Sequence, residues 1–251
     1  MEQLLGSIQM ITNSSVFIYI LKGLGFTIVV ALFAVGLGII FGTIFAVTRN
    51  YCTRGPARVL QWLSVAYVEI FRNTPLMLWL FIGLVFFPTI QMPAAFANSL
   101  GLSRTELAVL FKAIIALVLF TSSVIAEIVR GGLNSIDKGQ FEAAYSQGFG
   151  LVRTLLLIVL PQAFRNIVPT LLSQIITTIK DTSYIANIAI VELMGRTFKM
   201  IQSATLYTGF TTQNVSDVFV LCGLAALLYF IVNFTLSVLV RRIRPSQSFA
   251  N

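Results

Sequence analysis

The stretch VFIYILKGLGFTIVVALFAVGLGIIFGTIFAVT, residues 16–48, carries a single charge, Lys22, close to its start. A helix crossing a bilayer needs about 20 mostly apolar residues, and this run exceeds that. Four more runs of the kind follow, at residues 59–87, 107–129, 167–191 and 218–240. The second contains Glu69 and Arg72, the third has Lys112 and Glu127 towards its ends, the fourth holds Lys180 and Asp181, and the fifth is uncharged. A shorter apolar stretch, residues 154–164, cannot span; it ends near Pro161 and reads as a membrane-surface or re-entry helix leading into the fourth span. Over all 251 residues, 57% are hydrophobic and 10% charged, against about 25% charged in a soluble domain. The fold class is therefore all-α integral membrane, with about five transmembrane helices.

Lysine and arginine set the expected orientation. Arg49, Arg54 and Arg58 follow the first run; Arg130, Lys138, Arg153 and Arg165 follow the third; Arg241, Arg242 and Arg244 follow the fifth. The alternate loops are poorer, with Arg104, Arg196 and Lys199 nearly matched by Glu106, Glu192 and Asp217. Five spans with the N-terminus outside and the C-terminus in the cytoplasm place all three basic regions inside. The net charge of +8 is thus an orientation signal, and no basic patch interleaved with aromatics points to nucleic acid. Glu2 and the absence of a positive opening segment argue against a cleaved signal peptide, so the first helix reads as an uncleaved insertion signal.

Metal and nucleophilic chemistry find little support. There is no histidine, which removes most zinc sites and Ser–His catalysis. Cys52 and Cys222 lack metal-ligand spacing and read as unpaired. Gly36, Gly38 and Gly42 in the first run are read as close-packing positions. The chain shows no internal repeat and no second domain.

The longest polar stretch assigned to the inside is GGLNSIDKGQFEAAYSQGFGLVR, residues 131–153. Residues 140–147 suit a short helix with Phe141, Ala144 and Tyr145 on one face. Asp137 is a capping type ahead of it. Gly148 and Gly150 stop it and permit left-handed backbone. Such a helix is either an amphipathic connector on the membrane surface or a peg for a partner's groove.

The exact residues add a resemblance. Glu142-Ala143-Ala144, then Gly148, then Ile158-Val159-Leu160-Pro161 resembles the EAA motif of ATP-binding-cassette importer permeases, matching E-A-A, three residues, G, nine residues, I-x-L-P at every position. Val68-Glu69-Ile70-Phe71-Arg72-Asn73-Thr74-Pro75-Leu76 and Ala126-Glu127-Ile128-Val129-Arg130-Gly131-Gly132 resemble signatures of the polar amino-acid branch of that family, as do Leu160-Pro161-Gln162-Ala163 and Lys180-Asp181-Thr182-Ser183. The likeness runs from about Lys22 to Arg242. It implies the type I ABC importer (MetI-like) fold in one permease domain, residues 1–251, with an external N-terminal segment, residues 1–15, and a cytoplasmic coupling loop, residues 131–153. The coupling residues it implies are Phe141, Glu142, Ala143, Ala144, Gly148, Phe149 and Gly150. It also implies a second permease subunit, the same or homologous, a cytoplasmic ABC ATPase dimer, an extracytoplasmic amino-acid-binding protein and membrane lipid as partners. The chain lacks a phosphate loop of the G-x-x-x-x-G-K-S/T kind, so it is expected to bind no cofactor and to hydrolyse no ATP; ATP and magnesium belong on the partner ATPase.

Ionisable groups inside a bilayer need partners or a wet cavity. Glu69 and Arg72, at i and i+3, can pair on one helix face, and Pro75 permits a kink after them. For an amino-acid substrate, Asp181 is the candidate acceptor of the ammonium, and Lys180, Thr182 and Ser183 are candidate donors to the carboxylate; Lys180 and Asp181 point about 100° apart on a helix. Gln174, two turns earlier, is a candidate cavity-lining residue. Ser122 and Ser123, with Thr121, either face the cavity or bond back to their own helix; Glu127 either joins them or anchors Arg130. Thr74 completes the candidate set. The expected function is translocation of a polar or charged L-amino acid delivered by a binding protein. The alternative is a self-sufficient secondary transporter or channel for small polar solutes, which has no need of the loop's peg.

Overall fold

The computed structural model describes residues 2–189, 191–208, 212 and 214–243, and all regular structure among them is helical. The helices are α1 (Glu2–Thr12), α2 (Ser14–Tyr51), α3 (Arg58–Arg72), α4 (Leu76–Phe86), α5 (Ala94–Ser99), α6 (Arg104–Asn134), α7 (Lys138–Ser146), α8 (Leu151–Thr154), α9 (Leu160–Asp181), α10 (Leu193–Gln202), α11 (Thr205–Thr208) and α12 (Val215–Ile243). Four of these runs are long and apolar enough to cross a membrane: α2, α6, the run Leu151–Asn187 and Val215–Arg242 of α12. Counted as one broken span, α3 with α4 makes five.

The second span is two helices rather than one. Proline has no N–H and disfavours helical backbone in the residue before it, so the chain stops at Arg72 and restarts after Pro75. The last turn of α3 is closed locally: the Asn73 amide donates to the Glu69 carbonyl at 3.2 Å and the Thr74 hydroxyl donates to the Ile70 carbonyl at 2.6 Å.

The stretch 154–164 differs from expectation in the opposite way. It is no separate surface helix: α8 runs through a π turn, Leu155–Val159, straight into α9. Pro161 removes one i→i−4 bond and crowds the preceding turn, and a π turn relieves that crowding without ending the helix. The fourth span thus starts well before Ile167, and Lys180 and Asp181 occupy its last α-helical turn, ahead of a 3₁₀ segment, Thr182–Asn187.

Packing divides the chain into two compact units, Met1–Ala34 with Leu76–Leu117 and Ile176–Leu236, and Val35–Pro75 with Val118–Ile175 and Ser237–Asn251. Helices α2, α6, α9 and α12 each contribute to both. The first unit is centred on Met10, Val16, Ile20, Leu193, Met200 and Leu221. It also buries Glu192, whose carboxylate caps α10 by accepting from the Met194 and Gly195 amides, with Tyr229 donating to it at 3.1 Å. The second is centred on Ile125, Val129, Leu133, Leu155, Val159 and Ala163. Large apolar side chains such as Phe33, Phe86 and Phe219 remain outside, at 59%, 77% and 74% exposure, which a protein surface in water would not tolerate at this density and which lipid solvates.

Of the three glycines expected to pack, two do so. A Cβ on Gly42 would meet the Ala126 nitrogen and the Ser122 oxygen at 2.9 Å, and one on Gly38 would meet Ile125 Cδ1 at 3.0 Å; Gly36 faces open space. The Gly42 neighbours are backbone atoms of α6 and cannot rotate away. Gly42→Ala is therefore expected to destabilise by about 1–3 kcal/mol, the usual cost of overpacking, and Gly36→Ala to be neutral. Melting of the purified protein in detergent checks this; equal melting temperatures for the two variants would refute it.

Candidate functional site

The loop 131–153 forms a capped peg. Asp137 has extended backbone and its carboxylate accepts from the Gly139 amide at 2.6 Å, so α7 starts at Lys138, two residues before the expected helix. At the other end the Gly148 amide donates to the Tyr145 carbonyl at 2.9 Å and the Phe149 amide to the Ala144 carbonyl at 3.1 Å. This double closure requires a left-handed residue between them, and Gly148 supplies it with φ +80°. Gly150 does not share that role: its φ is −79° and its backbone is extended.

The peg is seated by two residues. Ala144 is buried, and Phe141 is half-buried against the second unit's core, its ring centroid 6.2 Å from that of Tyr51. Tyr145, expected on the same face, is 48% exposed instead. It sits one residue, about 100°, beyond Ala144 and so turns off the core. Glu142 and Ala143 are exposed, and Phe149 is half-buried.

Above this peg in the chain, α6 ends in a charged cluster. Glu127 takes an ion pair from Arg49 of α2, another from Arg130 at 2.8 Å, and a longer one from Arg72 of α3 at 3.6 Å. Arg49 also reaches Glu69 at 3.0 Å. Glu69 and Arg72 thus do not pair with each other: Glu69 turns to α2 and Arg72 to α6. The cluster gathers three guanidinium groups and two carboxylates from three helices. Within the same unit, Glu127, Gly131, Ser135, Arg165, Asn166 and Thr170 line a cleft of ≈ 850 Å³. The Asn166 amide donates to the Ser135 hydroxyl at 3.1 Å and the Gln162 amide to the Gln140 side chain at 3.0 Å, so the start of α9 is tied to the end of α6 and to α7.

The hydroxyl cluster of α6 is inward and largely self-satisfied. Ser122 and Ser123 are fully buried and donate to the Leu119 and Phe120 carbonyls at 2.9 and 2.7 Å. Tyr67 of α3 approaches the same Ser122 hydroxyl at 2.7 Å. Thr74 is half-buried at the α3 break, and Gln174 is half-buried on α9. These residues, with Glu69 and Arg72, belong to the second unit; Lys180, Asp181, Thr182 and Ser183 belong to the first. Asp181 and Ser183 are half-buried and Lys180 is exposed, whereas Thr182 is fully buried and donates to the Ile179 carbonyl at 2.8 Å. The hydroxyl of Thr182 is therefore committed to its own helix.

Arg49 is the residue the sequence reading left out of the site. It was one of three loop arginines supporting orientation, yet it lies in the last turn of α2 and pairs across to α3 and α6. Nothing in its local sequence distinguishes it from Arg54.

Comparison with known proteins bears on this arrangement. Residues 38–247 match the family model for binding-protein-dependent transport system inner membrane components. The chain is 39% identical over 222 residues to the probable glutamine ABC transporter permease protein GlnP of Bacillus subtilis (strain 168), covering 88% of this chain and 90% of that one. It is 37% identical over 176 residues to the glutamate/aspartate import permease protein GltK of Escherichia coli O157:H7, covering 68% and 73%. Its fold matches a chain of the crystal structure of an amino acid ABC transporter with histidines at a TM-score of 0.68 and 25% identity, covering 93% of this chain and 96% of that one. The chain belongs to the family of binding-protein-dependent transport system inner membrane components: it is a transmembrane permease subunit of an ABC importer, and hydrolysis of ATP falls to a separate subunit.

Proposed function

We propose that this permease carries a polar or charged L-amino acid, handed over outside by a binding protein, through a pathway shared with a second permease subunit. The carrying observation is α7, a short helix closed at both ends that exposes Glu142 and Ala143. Seated by Phe141 and Ala144, it is built to receive a push as a rigid body. An ATPase dimer in the cytoplasm holds ATP and magnesium; its closure draws the two permeases' α7 helices together and biases the pathway towards the outward-open state. The loop 131–153 is the coupling loop of a single permease domain, with residues 1–15 external and the C-terminus cytoplasmic. The amino-acid relatives and the basic loops support this reading.

Asp181 is the proposed partner of the substrate ammonium. It is half-buried at the end of α9 and makes no ion pair among the described residues. Loss of a hydrogen bond to a charged group costs about 1.5–3 kcal/mol, so Asp181→Asn is expected to raise KM for uptake by about tenfold or more while leaving assembly with the ATPase intact. The assay is ATP-dependent uptake of radiolabelled amino acids by liposomes holding the permease, its ATPase and its binding protein. Uptake at the wild-type KM would remove Asp181 from the site, and uptake by the permease alone would overturn the importer mechanism.

A further inference from the structure

Arg196 is 5% exposed. Its Nε donates to the Val191 carbonyl at 2.9 Å and its Nη1 to the Tyr19 carbonyl at 3.1 Å. The guanidinium lies over the rings of Tyr19 and Phe26, 4.5 and 5.4 Å from their centroids. No carboxylate among the described residues forms an ion pair with it. Glu192, one turn earlier, has its oxygens committed to the amides of Met194 and Gly195. Glu106 acts on the cation only through space and makes no hydrogen bond to it, so its direct contacts are all with neutral groups, an arrangement that an anion in contact would complete.

The space for one adjoins it. A cleft of ≈ 830 Å³ along the first half of α2 is lined by Arg196, Lys22, Tyr19, Phe26, Asn98 and Ser99, with no acidic residue on its wall. Gly25 also lines it, and a Cβ there would meet nothing within 4 Å. Apart from Ser15 the rest of the wall carries no polar side chain: Ile18 and Val29 are 51% and 50% exposed, and Leu21 and Leu32 of the same helix are exposed as well. The ligand that fits has a negative headgroup for two cations, hydroxyls for Asn98 and Ser99, and an apolar body that lies along α2. A free amino acid meets only the first of these requirements. We propose that this cleft binds an anionic phospholipid of the phosphatidylglycerol class, its phosphate between Lys22 and Arg196.

The test uses the permease assembled with its ATPase, delipidated in detergent, and native mass spectrometry with dioleoyl-phosphatidylglycerol or dioleoyl-phosphatidylcholine added. Wild type is expected to retain the glycerol lipid over the choline lipid. Lys22→Gln should lower that retention by about fivefold, the worth of one basic residue near an anionic headgroup. Gly25→Leu, whose Cβ has open space and whose longer side chain extends into the cleft, should abolish it without lowering the lipid-free melting temperature. Equal retention of the two lipids by wild type overturns the proposal, as does wild-type retention in Gly25→Leu. Displacement of the lipid by soluble glutamate would make the cleft a solute vestibule and overturn it too.

Discussion

Glu127→Ala is expected to produce the largest loss of stability of any single change in the charged cluster. Its carboxylate is the one anion shared by Arg49, Arg72 and Arg130, and its side chain is 16% exposed. Without it, Arg49 keeps Glu69, but Arg130 is left as a half-buried cation and Arg72 as an exposed one, each without its ion-pair partner. Losing hydrogen bonds to a charged group costs about 1.5–3 kcal/mol, and the partial exposure of these guanidinium groups keeps the loss below that of a fully buried pair. Three helices are tied at this point, so the loss is expected as a lower melting temperature of the detergent-solubilised protein and as reduced uptake. Glu127→Gln keeps an oxygen acceptor and should fall between wild type and alanine. Single changes of Arg72, which is more exposed and more distant, should cost less than either. An alanine variant that melts with wild type would show the cluster to be solvated and energetically idle.

The second large effect is functional. Gly148→Val is expected to lower ATP-driven uptake at least about tenfold, a factor worth 1.4 kcal/mol, while leaving membrane insertion and the core intact. At φ +80° a side chain with a branched β-carbon meets the following carbonyl, and the left-handed conformation costs about 1–2 kcal/mol. Relief of that strain opens the two closing hydrogen bonds from Gly148 and Phe149, and the last turn of α7 loosens. A loosened peg still inserts but no longer transmits a push. Gly148→Asn, which tolerates the left-handed region better, should retain more uptake than valine. The informative readout is the ratio of transport to ATP hydrolysis in liposomes: hydrolysis continuing with little uptake is the expected result. Wild-type coupling in the valine variant would detach α7 from energy transfer.

The existence and number of the membrane helices were legible in residues 16–48 and the four later runs, because apolar transfer free energy adds along the chain and needs no partner. The capping residues of α7 were legible for a related reason, although the helix starts two residues before the expected position. Asp137 and Gly148 act on backbone groups two to four residues away, so their effect is written within one short window. The peg's outward face was only partly legible, since periodicity placed Tyr145 with Phe141 and Ala144, and the actual seat extends over two of the three.

Continuity was decided by backbone hydrogen bonding around two prolines. Pro75, preceded by Asn73 and Thr74 whose side chains close the helix behind them, breaks its span; Pro161, preceded by an apolar run that relaxes into a π turn, does not. The sequence by itself determined the class, the approximate places of the apolar runs, the family and the loop's capping residues. Only the tertiary structure decided that Glu69 faces Arg49, that Arg72 faces Glu127, and that Arg196 forms no ion pair among the described residues. The ion pairs of the charged cluster join residues up to 78 positions apart, Arg49 with Glu127 being the farthest apart in sequence, and they depend on the angle at which each helix face meets its neighbour, which no local pattern encodes.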